Sequence, residues 1–396
     1  MAKTLTEDSH SSKRAILPRT RVTMADVARA ADVSKALVSR VLNKVESQIP
    51  IPQETIRRIE RIAAELNYVP SRSARSLKRG NRLNLIGVSI RTGIPPGIHQ
   101  TEEEMLPSKP LPEEYRHTPV HDVMAYERSF SIGLIIDALW QNSNPTVWDL
   151  VIQHRPETSE GPLRGTDLGL DLVDGLLYMQ PTLQHREYLN FVRSGYPIVV
   201  IGHISGIEED VCAVGIDNPK AAALLVDHLY RLNRRKMVAL WPYGEYVGLT
   251  IGRNRGFNNR LSAYGLEPLG VSFIGSDLSP ARGYWMTLRM LDQHPDLDAM
   301  VVGTDDIARG AIYALQERGR RIPEDVSVVT FDDKPITIIE PPLITALRIP
   351  FPEITRQAVK LLMDLIQGKV HEPVHIEIEP ELVVRQSCGA AMLSGM

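Results

Sequence analysis

The side chains best placed by spacing to do chemistry lie near the start of the chain. Lys35, Ser39 and Arg40 fall on one side of the stretch Ser34–Leu42, whose other side, Leu37, Val38, Val41 and Leu42, is apolar. Cations and hydroxyls held on one helical face are the groups that hydrogen-bond phosphates and base edges. Lys35 and Arg40 can read guanine O6 and N7, and Ala36 offers a methyl contact to thymine. Elsewhere nothing in the sequence calls for catalysis. It contains no GxSxG elbow, HExxH, Walker loop or GxGxxG, the motifs that would announce common enzyme chemistries. His117 and His121 have helical metal spacing, but Pro119 lies between them and no companion ligand accompanies them, which favours an inert surface segment. Asp332 and Asp333 are adjacent, so on a regular element they diverge and do not make a catalytic pair. The expectation is a protein with no catalytic residue, no cofactor and no metal.

Two short helices must position the cationic face. Met24, Val27, Ala28 and Ala31 recur at i, i+3, i+4 and i+7, one apolar stripe. Thr23 ahead of it and Asp26 three residues on make a capping-box-like start. Asp32-Val33 makes the turn and Ser34 caps the second helix. Two helices joined this tightly, the second with a polar cationic face near its N-terminus, form a helix-turn-helix. A third helix follows, with Ile56, Ile59, Ile62, Ala63 and Leu66 as its buried stripe. Pro52 suits its first position, and Ile51 ahead of it is a poor cap. Charge follows this division. Residues 1–82 hold 17 lysines and arginines against 8 acidic residues, a net +9, and the remainder holds 28 against 40, a net −12. A basic N-terminal fifth on an acidic body points to a polyanion partner for that fifth alone.

The residues match more than a pattern. Val22-Thr-Met-Ala-Asp-Val-Ala, Ala31-Asp-Val-Ser and Val38-Ser-Arg-Val-Leu-Asn43 resemble the opening of the LacI family of bacterial transcription regulators. The resemblance continues through Ala64-Glu-Leu-Asn-Tyr-Val-Pro70, Ala74-Arg-Ser-Leu77 and Leu85-Ile-Gly-Val88, and with a gap to the C-terminus. It implies a homodimer on pseudo-palindromic double-stranded operator DNA, contacted through Thr23, Ser34, Lys35, Ala36, Ser39, Arg40, Asn43, Tyr68, Arg72, Ala74 and Leu77. Leu77 sits in a basic hinge that, in the family, turns helical on the operator and wedges a leucine into the minor groove. The resemblance also implies a small-molecule effector, a carbohydrate, held between two lobes. Gly303-Thr-Asp-Asp-Ile-Ala-Arg-Gly310 makes Asp305 the match for an aspartate that takes ligand hydroxyls, or else a helix cap. Arg253 in Arg253-Asn-Arg-Gly-Phe257 matches a ligand-facing arginine, or else makes a salt bridge. Tyr246, like Tyr243, stacks on a ligand ring or packs in the core.

From Leu83 onward short apolar runs alternate with amphipathic stretches. Strands are expected at Leu85–Ile90, Trp148–Gln153, Gly175–Met179, Ile198–Ile201, Ala213–Gly215, Met237–Trp241, Gly270–Ile274, Ala299–Gly303 and Val326–Phe331, with helices such as Ala221–Leu232 and Ile307–Arg318 between them. Such alternation gives an α/β fold of doubly wound parallel sheets, and this many strands needs two lobes with ligands at the carboxyl ends of the strands. The resemblance supplies the form: a helix-turn-helix domain on a two-lobed, periplasmic-binding-protein-like core. The expected divisions are a basic arm at 1–21, the DNA-binding domain at 22–68, a hinge at 69–82 and the core at 83–391. The N-lobe comprises about 83–211 and 350–376, the C-lobe about 212–347 and 377–391. Residues 91–127, with six prolines, are an insertion the family lacks. Two cysteines, Cys212 and Cys388, no bilayer-length apolar run and no apolar signal region point to the cytoplasm and away from a membrane. The whole reads as a DNA-binding regulator, a repressor, answering to a small molecule. An effector-independent or protein-controlled regulator is the alternative, and a plain ligand-binding or transport protein a more distant one. Replacing Leu77 by alanine should weaken operator binding by a few kcal/mol while sparing random DNA. Band-shift titrations on both DNAs check this, and equal losses on the two would contradict it.

Overall fold

A computed structural model of the chain describes residues 22–42, 51–68, 84–91, 111–113, 123–142, 148–155, 169–170, 172–179, 188–203, 210–244, 247–275 and 277–390. The basic arm, the hinge and Asn43 fall outside them. The N-terminal domain is three helices, α1 (Met24–Ala30), α2 (Lys35–Leu42) and α3 (Gln53–Glu65). Val27, Ala28, Ala31, Val38, Val41, Ile59 and Ala63 form its buried core, with Leu37, Leu42, Ile56, Ile62 and Leu66 packed around it. Pro52 was expected inside α3 but stands one residue earlier, as its cap, with extended ψ of 135° and no side-chain bond to the helix. A residue without an N–H suits either place, because the first turn's donors have no helical acceptors.

The remaining chain builds two six-stranded sheets. The first contains β1 (Leu85–Arg91), β2 (Asp149–Arg155), β3 (Gly175–Met179), β4 (Ile198–His203), β5 (Cys212–Ile216) and β11 (His375–Glu377), in the order β11-β5-β4-β3-β1-β2 and all parallel. The second contains β6 (Met237–Trp241), β7 (Gly270–Phe273), β8 (Ala299–Val302), β9 (Ser327–Asp332), β10 (Thr345–Arg348) and β12 (Glu381–Val383), in the order β12-β10-β9-β8-β6-β7. Only β12 is antiparallel, pairing with β10. The nine expected strands all appear. The short strands β10, β11 and β12 were not foreseen, because three or four residues at a lobe junction carry too little periodicity to register.

Helices cover both sheets, as parallel sheets require. On the first lie α4 (Val123–Asn142), α5 (Tyr188–Arg193) and α10 (Phe351–Ile366); on the second, α6 (Asn218–Arg231), α7 (Gly248–Ala263), α8 (Pro280–Gln293) and α9 (Asp305–Glu317). The chain passes between lobes three times: at Asp217 after β5, at Ile349-Pro350 after β10, and between β11 and β12. The expected boundary near residue 212 therefore moves. The strand Cys212–Ile216 pairs with β4 in the first sheet, and the second lobe starts only after it.

In the second lobe α8 and α9 meet backbone to backbone at two points. A Cβ on Gly310 of α9 would lie 1.8 Å from the Pro280 carbonyl oxygen, and one on Gly283 of α8 would lie 2.2 Å from that of Ile307. No side chain fits there, so these glycines fix α9 against α8 and, with it, the position of the α9 N-terminus. That terminus is at the end of β8, where the second sheet faces the first lobe. Among the described residues no helix is long and apolar enough to cross a membrane.

Candidate DNA-reading surface and ligand cleft

The sequence builds the DNA-reading surface through local caps. Thr23 donates its N–H and hydroxyl to Asp26 Oδ2 at 2.8 and 2.6 Å, and its Oγ1 accepts the Asp26 N–H at 3.3 Å. Those bonds from Thr23 hold the Asp26 carboxyl below its ordinary value. The α1 helix ends on Asp32 in the left-handed region at φ 49°, and the Val33 N–H returns to the Ala28 carbonyl at 3.0 Å. Aspartate tolerates this conformation better than most residues. Ser34 Oγ then accepts the Leu37 N–H at 3.2 Å and starts α2. With Val38 and Val41 buried below, Lys35, Ala36 and Arg40 are exposed and Ser39 is half-buried beside them. Tyr68 departs from this face. It follows Asn67, left-handed at φ 51°, bonds its N–H to the Ala63 carbonyl at 2.8 Å and packs half-buried on the domain core. Asn43, Arg72, Ala74 and Leu77 lie outside the described residues.

The candidate ligand site is expected at the carboxyl ends of the second sheet's strands, where sheets of this kind bind their ligands. Arg253 on α7 is 5% exposed. Its Nε donates to Asn218 Oδ1 at 3.0 Å, its Nη1 donates to the Gly303 carbonyl at 2.6 Å, and its Nη2 lies 3.9 Å from Asp332 Oδ1. The guanidinium sits 3.9 Å above the Phe331 ring, whose other neighbour is Trp241 at 6.2 Å. Arg253 thus joins the first crossover, through Asn218, to the ends of β8 and β9. Of the two sequence readings of this residue, the salt bridge is the one seen, with Asp332.

Asp305 is not the helix cap. Thr304 occupies the cap position of α9, and it makes no side-chain cap bond. Asp305 is fully buried, and its Oδ2 accepts the Lys334 backbone N–H at 2.7 Å. Its Oδ1 is buried with no hydrogen-bond partner among the described residues, and so are Asn218 Nδ2 and Thr304 Oγ1. Burial, reinforced by the charge of Asp332, pushes the Asp305 carboxyl well above the ordinary carboxylate range. Lys334 Nζ lies 3.4 Å from Asp332 and 3.6 Å from Asp306. One turn along α9, the buried Arg309 donates Nη2 to the Ile336 and Glu340 carbonyls at 3.1 and 3.0 Å, which holds the loop carrying Lys334. Tyr243 is half-buried and left-handed at φ 56°; Tyr246 lies outside the described residues.

Asp332 and Asp333 do diverge. Both are left-handed, at φ 87° and 66°. Asp332 faces Arg253 and Lys334. Asp333 accepts from Arg385 at 2.6 Å, Arg348 at 2.8 Å and Thr337 at 3.0 Å. Burial alone would raise the Asp333 carboxyl, but the hydrogen bonds from Arg385 and Arg348 outweigh it and hold the carboxyl below its ordinary value. Sequence reasoning missed Asn218, Asp306, Asp332 and Lys334. For Asp332 and Lys334 the signal was available, since both lie just past the carboxyl end of an expected strand.

A three-helix domain with an exposed cationic helix followed by a two-lobed α/β core defines a class of DNA-binding proteins with a periplasmic-binding-protein-like core. The comparisons with known proteins agree. Residues 23–71 match the family described as bacterial regulatory proteins, lacI family, and residues 226–388 match a periplasmic binding protein-like domain. The HTH-type transcriptional regulator CelR of Thermobifida fusca is 29% identical over 372 residues, covering 93% of this chain and 99% of that protein. The transcriptional repressor MelR of Bacillus subtilis is 26% identical, covering 93% and 98%. Among solved structures, a CelR–cellobiose complex aligns at TM-score 0.60 and 24% identity, covering 93% of this chain and 100% of that one. The lac repressor dimer bound to operator and an anti-inducer aligns at 0.61 and 22%, covering 93% and 99%. The chain belongs to the LacI family, and it is a DNA-binding transcriptional regulator.

Asp333 carries a pH signature. A carboxylate held below its ordinary value adds stability that is present above the unfolded value, near 4, and is lost as pH falls through the folded one. Asp333→Asn, which keeps a side chain suited to φ 66°, should cost about 2 kcal/mol at pH 7 by taking the charged partner from the half-buried Arg385 and the exposed Arg348. Urea unfolding at pH 7 and pH 4 checks it: the gap between wild type and variant should narrow in acid.

Proposed function

We propose that this regulator binds a small polyhydroxylated molecule, a sugar or sugar derivative, between its lobes, and that the ligand changes operator affinity. The observation that carries the reading is the set of buried polar atoms without partners at the strand ends: the acceptor Asp305 Oδ1, the donor Asn218 Nδ2 and Thr304 Oγ1. Buried polar groups are almost always satisfied, and a hydroxyl-rich ligand brings the donors and acceptors these lack. Arg253 and Asp332 border the same space. That a related regulator has been solved with cellobiose agrees with this chemistry. The reading takes the protein as a homodimer whose Lys35, Ala36, Ser39 and Arg40 enter the major groove of each half-site. The polar cleft favours it over an effector-independent regulator, for which these unpaired atoms would be cost without return.

A ligand shifts the lobes only by binding one arrangement better than the other, and coupling of about 1–3 kcal/mol would change operator affinity roughly 5–150-fold. An operator obtained by selection from random DNA, titrated with the wild-type protein across a panel of mono- and disaccharides, should show such a change with at least one sugar. Arg253→Ala and Asp332→Ala should abolish the response while basal operator binding stays within about 2-fold. Wild-type and variant proteins responding alike would place the ligand elsewhere. No response from wild type to any sugar would favour effector-independent control.

A further inference from the structure

The segment joining β1 to α4 begins and ends in the first lobe: β1 pairs with β2 and β3, and α4 packs on α10. Between them Leu111 does not belong to that lobe. It is half-buried and packs on a small apolar cluster of the second lobe, made by Tyr284 and Leu288 of α8, Tyr313 and Ala314 of α9, and the adjoining Trp285. This cluster is separate from both main cores. Its rings are fixed by their own bonds: Tyr284 donates to Glu317, Tyr313 donates to Glu340, and Tyr284 and Trp285 meet edge to face at 4.9 Å. Leu111 therefore meets a preformed apolar seat on the helix pair whose backbones touch at Gly283 and Gly310.

We propose that Leu111 anchors the β1–α4 segment onto the second lobe, so that the chain ties the two lobes together by a contact beyond the three crossovers. The chemistry of the segment suits an anchor. Pro110 and Pro112 flank Leu111, and a proline on each side restricts the backbone before docking, which lowers the entropy lost on docking. The direction of the chain suits it as well. Strands of a parallel sheet end at the edge where their ligands bind, so the chain leaves Arg91 on the side of the other lobe. Nine residues, hence ten Cα-to-Cα steps, lie between Glu113 and Val123 and span at most about 36 Å, which keeps the anchor within reach of the first lobe. The apolar seat is a leucine-sized site of the second lobe whose occupant is a segment of the first. Lobe movement must then either carry this contact along or break it. The inference does not depend on what the cleft binds.

The test uses the full-length protein. Cys212 and Cys388 are buried, so an added cysteine pair is the reactive one. With Leu111→Cys and Leu288→Cys combined, mild oxidation should give mostly an intrachain disulfide that migrates as a single chain. A band of two linked chains would overturn the proposal by showing that the contact is made between copies, and the absence of any crosslink would overturn the anchor. Spin labels on cysteines placed at Asp149 in the first lobe and Asp292 in the second then read the tie itself. The interlobe distance distribution should broaden in Leu111→Glu and stay unchanged in Leu111→Met. Equal distributions in wild type and Leu111→Glu would overturn the claim that the contact links the lobes.

Discussion

Four carboxylates, Asp305, Asp306, Asp332 and Asp333, gather at one end of the second sheet, each with its side chain 9% exposed or less. Their mutual repulsion in a poorly solvated place is the constraint the cleft is built around. Lys334 stands between Asp306 and Asp332, Arg253 completes Asp332, and Arg348 and Arg385 hold Asp333. Each of these cations comes from a different part of the junction. Arg348 ends β10 just before the second crossover, Arg385 follows β12 after the third, and Arg253 grips Asn218 beside the first. The balancing of charge therefore also fastens the three crossovers to one loop. Two consecutive left-handed residues let that loop turn one carboxylate to the cleft and the next to the crossovers, a strained backbone of the sort that clusters at functional sites.

Asp305 alone has no cation of its own. Its two oxygens are unequal, one on the Lys334 N–H and one unpartnered. An uncompensated buried carboxylate destabilises the ligand-free state, and any ligand group that pairs with it gains by the same amount. The basic N-terminal domain stands on a core of its own, seven buried side chains among the described residues.

Much of this was legible in the sequence where the signal is local. The caps of α1 and α2 are written in Thr23, Asp26 and Ser34, and the exposed face of α2 follows from a period of 3.6 residues, so Lys35, Ala36 and Arg40 could be placed on the outer face from spacing alone. The nine expected strands stand out as apolar runs, whereas β10, β11 and β12 are interrupted by Arg348, His375, Glu377 and Glu381. What the sequence withheld depends on contacts between distant segments. The strands β10–β12 are too short to show a period, and the edge of the first lobe shifts because Cys212–Ile216 is held by β4. The bond from the Lys334 N–H to Asp305 joins residues 29 apart, and Asp332 meets Arg253 and Lys334 while its neighbour Asp333 turns to Arg348 and Arg385. Leu111, in a proline-rich segment that reads as inert surface, finds its seat on helices some 170 residues further on.

In the ligand-free protein Asp305 is a buried carboxyl with no ion pair among the described residues, its charge opposed by burial and by Asp332. Its raised pKa means that the folded state loses stability relative to the unfolded chain as pH rises above the unfolded value, near 4, toward the folded one. Equilibrium unfolding of wild type and Asp305→Asn, both ligand-free, at a series of pH values from 5 to 8 tests this directly. The account predicts that the variant, which keeps an oxygen for the Lys334 N–H, is the more stable at pH 8, with an advantage that shrinks toward pH 5. A variant less stable than wild type across the whole range, or a difference independent of pH, would contradict it.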